Sequence, residues 1–170
     1  MVEYQKIKMQ GKKRIALISH DSLKSSLIEW CEFNKELLSK HELYATGTTG
    51  EMIETIVGLD IIKLKSGPAG GDQQVGARIA ENKIDVVIFF LDPMESHVHD
   101  SDIRALLRIA CVYNVPIVCN RSSSDFLISS PLMDVKYERF VVDYNKEREK
   151  EISSLIEETE QVINPSKETT

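Results

Sequence analysis

Short runs of β-branched and aromatic residues alternate along the chain with longer stretches that have the apolar spacing of helices. Short apolar runs predict strands, and apolar residues that recur every three or four positions predict helices. The pattern gives strands over residues 14–19, 43–45, 61–65, 84–91, 115–119 and 140–142, and helices over 22–40, 51–57, 73–81, 103–113, 125–129 and 145–162. We expect the last strand at an edge of the sheet.

The run from Ile84 to Leu91 is almost continuously apolar, which is typical of a central strand covered on both faces. Strands that alternate with helices form parallel sheets through right-handed crossovers. The fold class is therefore α/β: a single three-layer α/β/α domain with a mainly parallel, Rossmann-like sheet. We expect this domain over residues 13–163, an N-terminal extension over 1–12 and a flexible polar tail over 164–170.

Charge and composition argue against nucleic acid and membranes as partners of this chain. The 170 residues are 42% hydrophobic and 28% charged, with a net charge of −6 and a pI of about 5.3. Basic residues do not form a patch interleaved with aromatics, which argues against nucleic acid as a partner. No apolar run is long enough to cross a bilayer, and no signal core follows the basic start. We therefore expect a cytoplasmic protein that binds no membrane.

The cysteines favour a reducing compartment, because Cys31, Cys111 and Cys119 are scattered and odd in number. Cys111 and Cys119 stand within apolar stretches, where cysteine usually serves as a small core residue. We therefore expect both in the core rather than in a disulfide.

Polar segments follow four of the predicted strands, while the turns that lead into strands are short and plain. These segments are His20-Asp21, residues 46–50 (TGTTG), 66–72 (SGPAGGD) and 92–102 (DPMESHVHDSD). The carboxyl ends of parallel strands meet at one edge of a sheet, so the four segments must converge there. The sequence therefore places a ligand site at that edge.

Two glycine-rich loops at this edge have the residues that bind a phosphate monoester. Glycines let the backbone approach a ligand, and a following helix presents N–H groups. The candidate phosphate ligands are Thr46, Gly47, Thr48, Thr49, Ser66 and Gly67, with Lys24 as a positive charge. The alternatives are plain strand-to-helix turns capped by threonine, and a solvated lysine. No P-loop pattern occurs and no GxGxxG follows the first strand, which disfavours ATP and dinucleotides.

The same edge also collects ionisable residues: His20, Asp21, Asp72, Asp92, His97, His99, Asp100 and Asp102. A carboxylate and a neutral imidazole can together abstract a proton next to a carbonyl. Asp72 as a helix cap and Asp92-Pro93 as a turn are the simpler alternatives. A metal site built from His97, His99, Asp100 and Asp102 is another, although this spacing matches no recognised site. GxSxG is absent, which disfavours a serine hydrolase.

These segments resemble the methylglyoxal synthase family. The matching elements are Ser19 to Asp21 with Lys24, Tyr44 to Gly50, Leu64 to Pro93 and His99 to Ala110, within a resemblance that spans residues 13–144. The motif SGPxGGDQQxGA is very specific. The resemblance implies a homohexameric phosphate lyase that converts dihydroxyacetone phosphate to methylglyoxal and inorganic phosphate without a cofactor or metal. Inhibition by phosphate is consistent with it.

The resemblance also implies roles for the matching residues. Asp72 looks like the catalytic base, His99 like the group that polarises the carbonyl, and Asp102 like its support. Asp21 and Asp92 would orient groups of the site. Substrate would be held by His20, Lys24, Thr46, Gly47, Thr48, Thr49, Ser66 and Gly67. Family members often have an arginine in the C-terminal helix that reaches the phosphate, and the candidates here are Arg148 and Lys150.

Two other functions fit the same loops. A regulatory domain of this fold would sense a small phosphorylated effector without catalysis. A sugar-phosphate isomerase would form the same enediolate as the lyase. The carboxylate and imidazole in GGDQ and HDSD favour an enzyme, and release of inorganic phosphate distinguishes the lyase from both alternatives.

Overall fold

A five-stranded parallel sheet forms the centre of the protein. The computed structural model describes residues 3–94 and 99–163. The strands are β1 (Tyr4–Met9), β2 (Arg14–Ser19), β3 (Glu42–Thr46), β4 (Ile61–Leu64), β5 (Val86–Phe90), β6 (Ile117–Val118) and β7 (Tyr137–Val142). The helices are α1 (Lys24–Phe33), α2 (Lys35–Leu38), α3 (Gly47–Met52), α4 (Gly71–Ala80), α5 (Asp100–Val112), α6 (Arg121–Ile128) and α7 (Tyr144–Ile163). Short 3-10 turns lie at Asp21–Leu23, Gly67–Ala69 and Pro131–Met133, and a π-helical turn at Ile53–Val57.

The central sheet has the strand order β4-β3-β2-β5-β6, and every neighbouring pair is parallel. Successive residues of a strand point to opposite faces of the sheet. Ile15 and Leu17 of β2 pack on the side of α1, α2 and α6, whereas Ala16 and Ile18 pack on the side of α4 and α5. Both faces are covered, which confirms the predicted three-layer α/β/α fold with a parallel sheet.

The helix predicted over 22–40 is divided in the structure. α1 ends at Phe33, and α2 begins at Lys35. Between them, the side chain of Asn34 donates to the carbonyl oxygen of Trp30 at 2.9 Å, and the Asn34 backbone N–H donates to the same oxygen at 3.0 Å. An asparagine side chain that competes for backbone partners in this way interrupts a helix.

The strand predicted at the edge of the main sheet belongs to a separate sheet. β7 pairs antiparallel with β1, and Lys6 lies opposite Phe140. The prediction that residues 140–142 border the main sheet is therefore wrong, and the expected N-terminal extension contains a strand. Gln5 shares the face of Ile7 and Met9, so the polar–apolar alternation of β1 is confined to residues 6–9, which is short for a strand prediction. This pair of strands is named the β1–β7 ribbon below.

One buried arginine fastens the ribbon to the central domain. Arg139 of β7 is 1% exposed, and it donates to the carbonyl oxygen of Tyr113 at 3.0 Å and to Oδ1 of Asn82 at 3.1 Å. Burial lowers the pKa of Arg139. Asn82 and Asn114 have positive φ angles of 55° and 48° in the turns that precede β5 and β6. Arg139 therefore braces helix-to-strand turns at the amino edge of the sheet.

The three cysteines lie in different environments. Cys31 is buried, and burial raises the pKa of its thiol to about 12. Cys119 is half-buried, whereas Cys111 is exposed. The expected core position of Cys111 is wrong, because the buried face of α5 carries Ile103, Leu106 and Ala110 instead.

None of the helices that the structure describes combines the length and the apolar character needed to span a bilayer. The longest of them, α7, has 20 residues and carries many charges (YNKEREKEISSLIEETEQVI). The polar tail expected over 164–170 lies outside the described residues.

Candidate active site

A cleft of about 510 Å³ opens at the carboxyl edge of the central sheet. The strand order changes direction there between β2 and β5, which is where open α/β sheets bind ligands. Eleven of the thirteen predicted site residues line the cleft: His20, Asp21, Lys24, Thr46, Gly47, Thr48, Thr49, Ser66, Gly67, Asp72 and His99. Asp92 and Asp102 lie outside this lining.

A buried carboxylate and an imidazole are in contact in the cleft. Asp72, in the first turn of α4, is 1% exposed, and its Oδ2 lies 2.7 Å from Nδ1 of His99. Its Oδ1 is buried and accepts no hydrogen bond from the described part of the chain. Buried polar atoms nearly always have a partner, so an exception points to a ligand or a reaction. The helix-cap alternative for Asp72 does not hold, because Gly70 occupies the N-cap of α4.

Three glycines bring the backbone close to this pair. A Cβ at Gly67 would lie 2.7 Å from Cε1 of His99. Gly70 has a φ of +92° and turns the chain into α4, a conformation that favours glycine. A Cβ at Gly71 would lie 2.1 Å from the carbonyl oxygen of Lys65. The loop SGPAGGD therefore needs glycine at these positions to hold the start of α4 beside His99.

A second group of cleft residues supplies hydroxyls and a positive charge. Gly47 has a φ of +43°, and a Cβ there would lie 2.8 Å from Ser66, so the two glycine-rich loops are in contact. Lys24 donates to the hydroxyl of Thr48 and lies 2.7 Å from a carboxylate oxygen of Asp21. Thr46 occupies the N-cap of α3, but its side chain makes no capping hydrogen bond, which argues against a turn that is simply capped by threonine. Hydroxyls beside an ammonium group suit the oxygens of a phosphate.

Hydrogen bonding fixes the tautomer of a second histidine in the cleft. His20 follows β2, is 5% exposed, and accepts the backbone N–H of Asp92 at its Nδ1 at 2.9 Å. A ring nitrogen that accepts carries no proton, so the ring is neutral with its proton on Nε2. Its ring centroid lies 5.0 Å from that of Phe89 and 6.2 Å from that of His99. Two imidazoles and a carboxylate thus share one cleft, which suits proton transfer next to a carbonyl.

Known proteins are similar to this chain in sequence and fold. A family profile described as "MGS-like domain" matches residues 26–119. The methylglyoxal synthase of Pseudoalteromonas translucida is 54% identical over 143 residues, covering 84% of this chain and 93% of that protein. The methylglyoxal synthase of Clostridium acetobutylicum is 51% identical over 136 residues, covering 80% and 94%. The crystal structure of methylglyoxal synthase from Elizabethkingia anophelis NUHP1 superposes with a TM-score of 0.79 at 44% identity, covering 82% of this chain and 92% of that one.

The chain belongs to the methylglyoxal synthase family. This confirms the resemblance inferred from the motifs. The matched range contains both glycine-rich loops and the contact between Asp72 and His99.

In this member of the methylglyoxal synthase family, Asp92 holds neighbouring groups from outside the cleft lining. One of its carboxylate oxygens accepts the hydroxyl of Ser22 at 2.7 Å, and the other accepts the backbone N–H of Met94 at 2.9 Å. The contact with Met94 forms a turn at Asp92-Pro93, which agrees with the simpler interpretation of these two residues as a turn. Its backbone N–H also orients His20.

Asp102 connects two helix starts instead of lining the cleft. Its Oδ1 accepts Nε2–H of Gln73 at 3.1 Å, and its backbone N–H donates to the carbonyl oxygen of His99 at 2.9 Å. Gln73 follows Asp72 on α4, so this contact lies beside the contact between Asp72 and His99. Sequence reasoning missed Gln73, and its position directly after Asp72 in GGDQ is the signal that pointed to it.

Two further predictions fall partly on residues that are not described. The metal alternative needs His97, which lies outside the described residues. Within the described ranges, no group of three or more His, Cys, Asp or Glu side chains is placed to hold a metal ion. Arg148 is exposed on α7 and is not among the residues that line the cleft, while the side chain of Lys150 lies outside the described part of the chain.

Proposed function

We propose that this protein is a phosphate lyase that converts dihydroxyacetone phosphate to methylglyoxal and inorganic phosphate. The observation that carries the proposal is the buried carboxylate of Asp72. One of its oxygens lies 2.7 Å from His99, and the other has no partner among the described residues. Relatives named methylglyoxal synthase, 54% and 51% identical over most of the chain, support the same reaction.

The first step is a proton transfer to Asp72. Its Oδ1 takes a proton from the hydroxymethyl carbon of the substrate, and the electron pair of that C–H bond forms the double bond of an enediolate. The contact between Oδ2 and His99 orients the carboxylate, so that Oδ1 meets the substrate. A positioned carboxylate base of this kind contributes roughly 10²- to 10⁴-fold to the rate.

The carbonyl oxygen becomes negative in this step and needs a hydrogen-bond donor. With Asp72 ionised, Nδ1 of His99 donates to it, so His99 can also donate from Nε2 only when its ring is doubly protonated. His20 donates from Nε2 as a neutral ring, because its Nδ1 accepts the N–H of Asp92. We therefore assign His20 as a second donor to the enediolate oxygen, together with His99.

The second step expels phosphate. The C=C electron pair of the enediolate forms a new double bond to the carbon that carries the phosphate ester, and the C–O bond breaks with its electron pair leaving on phosphate. The hydroxyl on the former hydroxymethyl carbon becomes the aldehyde carbonyl as its proton passes to the leaving phosphate. The product is the enolate of methylglyoxal, which takes up one proton at its terminal carbon to give methylglyoxal. Elimination requires the C–O bond to stand roughly perpendicular to the enediolate plane. Lys24, Thr48 and Ser66 are the side chains that would hold the phosphate in that orientation.

Three finer properties belong to the same proposal. Inorganic phosphate inhibits the enzyme, since the donors that hold the substrate's phosphate also fit the product. The protein forms a homohexamer, and the strongly exposed Phe33 and Phe126 support association between copies. It acts in the cytoplasm, where thiols such as the exposed Cys111 stay reduced.

Product analysis tests the proposed reaction. The protein is incubated with dihydroxyacetone phosphate, and inorganic phosphate, methylglyoxal and glyceraldehyde 3-phosphate are measured in the same samples. A lyase releases phosphate and methylglyoxal in equal amounts. Glyceraldehyde 3-phosphate without free phosphate would show an isomerase, and binding without any product would show a sensor.

A further inference from the structure

Two adjacent glutamines at the start of α4 contact different parts of the protein. The side chain of Gln73 donates to Oδ1 of Asp102 at 3.1 Å, which joins α4 to α5. Oε1 of Gln74 accepts the backbone N–H of Lys65 at 2.8 Å, which joins α4 to the residue that follows β4. Gln74 is half-buried and is not among the residues that line the cleft. An effect of its side chain on a bound ligand would therefore pass through Lys65.

The backbone of Lys65 also lies between the two glycine-rich loops of the cleft. Its carbonyl oxygen accepts the N–H of Gly47 at 3.1 Å. A Cβ at Gly71 would lie 2.1 Å from the same oxygen, so the start of α4 packs directly against it. Lys65 is thus the point at which the loop of residues 46–50, the loop of residues 66–72 and α4 meet.

The position of Lys65 determines how far apart two candidate phosphate ligands lie. Ser66 follows Lys65 directly, and its Cα and Cβ would each lie 2.8 Å from a Cβ at Gly47. Thr48 follows Gly47 on the other loop, and its hydroxyl accepts a hydrogen bond from Lys24. Hydrogen bonds weaken steeply as their distances and angles depart from the ideal. Donors on two loops therefore fit one phosphate only if the spacing between the loops is fixed.

Other hydrogen bonds of the loop of residues 66–72 lie within the loop itself. The carbonyl oxygen of Ser66 accepts the N–H of Ala69 at 3.0 Å and that of Gly71 at 2.8 Å. These bonds fix the shape of the loop, whereas the bonds of Lys65 fix the place where the loop begins.

We propose that Gln74 is a positioning residue for the phosphate of the substrate. By accepting the N–H of Lys65, it sets the spacing between the two glycine-rich loops. Gln73 serves the other half of the site, because its bond to Asp102 lies beside the carboxylate of Asp72. The two glutamines of GGDQQ thus divide between phosphate binding and proton transfer. This inference rests on the proposed function, since it takes the phosphate to lie between these loops.

Phosphate binding and steady-state kinetics of Gln74→Ala and Gln73→Ala test the inference in the full chain. Alanine favours helix, so both variants keep α4, and each is the matched control for the other. For Gln74→Ala we expect the dissociation constant of inorganic phosphate, measured by calorimetry, and KM for dihydroxyacetone phosphate to rise about three- to tenfold, as loss of one hydrogen bond implies, with a smaller change in kcat. For Gln73→Ala we expect kcat to fall about tenfold, with the dissociation constant changed less than about twofold.

The conservative variant Gln74→Glu separates the hydrogen bond from the rest of the side chain. A carboxylate oxygen at this position can still accept the N–H of Lys65. About 0.3 M sodium chloride in all samples screens the added charge. We expect Gln74→Glu to restore the dissociation constant of inorganic phosphate to within about twofold of wild type.

Three outcomes would overturn the inference. An unchanged dissociation constant in Gln74→Ala would show that the residue only stabilises α4. Equal losses of phosphate affinity in Gln74→Ala and Gln73→Ala would show a general loosening of the helix, and equal losses in Gln74→Ala and Gln74→Glu would show that the bond to Lys65 is not the cause.

The proposed reaction is judged separately, by release of phosphate and methylglyoxal from dihydroxyacetone phosphate by wild type. Release by wild type together with an unchanged dissociation constant in Gln74→Ala would leave the lyase and remove the role of Gln74. Weaker phosphate binding by Gln74→Ala in a protein whose wild type releases no phosphate would leave the role of Gln74 and remove the lyase.

Discussion

At position 67, any side chain would meet the imidazole of His99, which contacts the carboxylate of Asp72. A Cβ built on Gly67 lies 2.7 Å from Cε1 and 3.2 Å from Nε2 of His99, and 3.3 Å from Oδ2 of Asp72. Gly67→Ala must therefore displace the ring of His99. We expect kcat/KM to fall about 10- to 100-fold, which corresponds to roughly 1.4 to 2.7 kcal/mol of transition-state stabilisation. Steady-state kinetics with dihydroxyacetone phosphate measure this.

Gly76→Ala is the matched control for Gly67→Ala. Gly76 lies within α4, and its Cβ would be 3.6 Å from a methyl group of Ile109, an ordinary contact. We expect this variant to keep the wild-type kcat/KM and to gain about 0.5 to 1 kcal/mol in free energy of unfolding. If both variants kept full activity, the position of His99 would not control the reaction.

The sequence correctly predicted which residues line the cleft where the position after a strand and the family motif indicate the same residue. Thr46 ends a strand, while His20, Ser66 and Asp72 each follow one, and the convergence of strand ends brings them to one edge. Asp92 and Asp102 follow strand β5 as well, yet their carboxylates bind Ser22 and Gln73. Whether a loop side chain points into a cleft or along its rim depends on tertiary contacts, which no spacing rule contains.

The starts of α4 and α5 form one unit at the scale of secondary-structure elements. Asp72 contacts His99 at 2.7 Å, and Gln73 donates to Asp102 at 3.1 Å, so two side-chain contacts join the first turns. If Asp102 acts through this hydrogen bond, Asp102→Asn should keep kcat within about threefold, because an amide oxygen also accepts from Gln73. Asp102→Ala and Gln73→Ala should each lower kcat about tenfold.

A double-variant cycle checks that interpretation. Gln73→Ala combined with Asp102→Ala should be no slower than either single variant, because both remove the same contact. A loss for Asp102→Asn as large as that for Asp102→Ala would instead show that the charge of Asp102 takes part in the chemistry.

Element boundaries were predictable for strands with an uninterrupted apolar run and less so elsewhere. Ile84 to Leu91 has that pattern and contains β5. α6 begins at Arg121 and not near Asp125, because Oδ1 of Asn120 accepts the N–H of Ser123 at 2.9 Å and caps an earlier turn. The pairing of β1 with β7 could not be predicted, because the paired residues are far apart in the sequence. Tyr4 pairs with Val142, which lies 138 positions later, and Met9 pairs with Tyr137, which lies 128 positions later.

Arg139 is a buried cation that joins the β1–β7 ribbon to turns at the amino edge of the central sheet, opposite the cleft. Arg139→Ala would remove two hydrogen bonds from a charged donor and leave Asn82 Oδ1 and the carbonyl oxygen of Tyr113 without that partner. We expect a loss of about 3 kcal/mol in free energy of unfolding, since hydrogen bonds to charged groups contribute about 1.5 to 3 kcal/mol each. Urea unfolding at a fixed protein concentration measures this.

Lys136→Ala provides the control for Arg139→Ala. Lys136 is exposed just before the same strand, so its removal should change the free energy of unfolding by less than about 0.5 kcal/mol. Equal stability of the two variants would show that Arg139 does not fasten the ribbon to the domain.

We propose above that Asp72 is the base of a lyase that releases phosphate. The most direct measurement compares wild type with Asp72→Asn for release of inorganic phosphate and methylglyoxal from dihydroxyacetone phosphate, with substrate affinity measured by calorimetry. We expect equal release of both products by wild type. In Asp72→Asn we expect a fall in kcat of about 10³-fold at nearly unchanged affinity, because the amide preserves shape but takes no proton. Phosphate release by Asp72→Asn at the wild-type rate, or binding without phosphate release by wild type, would contradict the account.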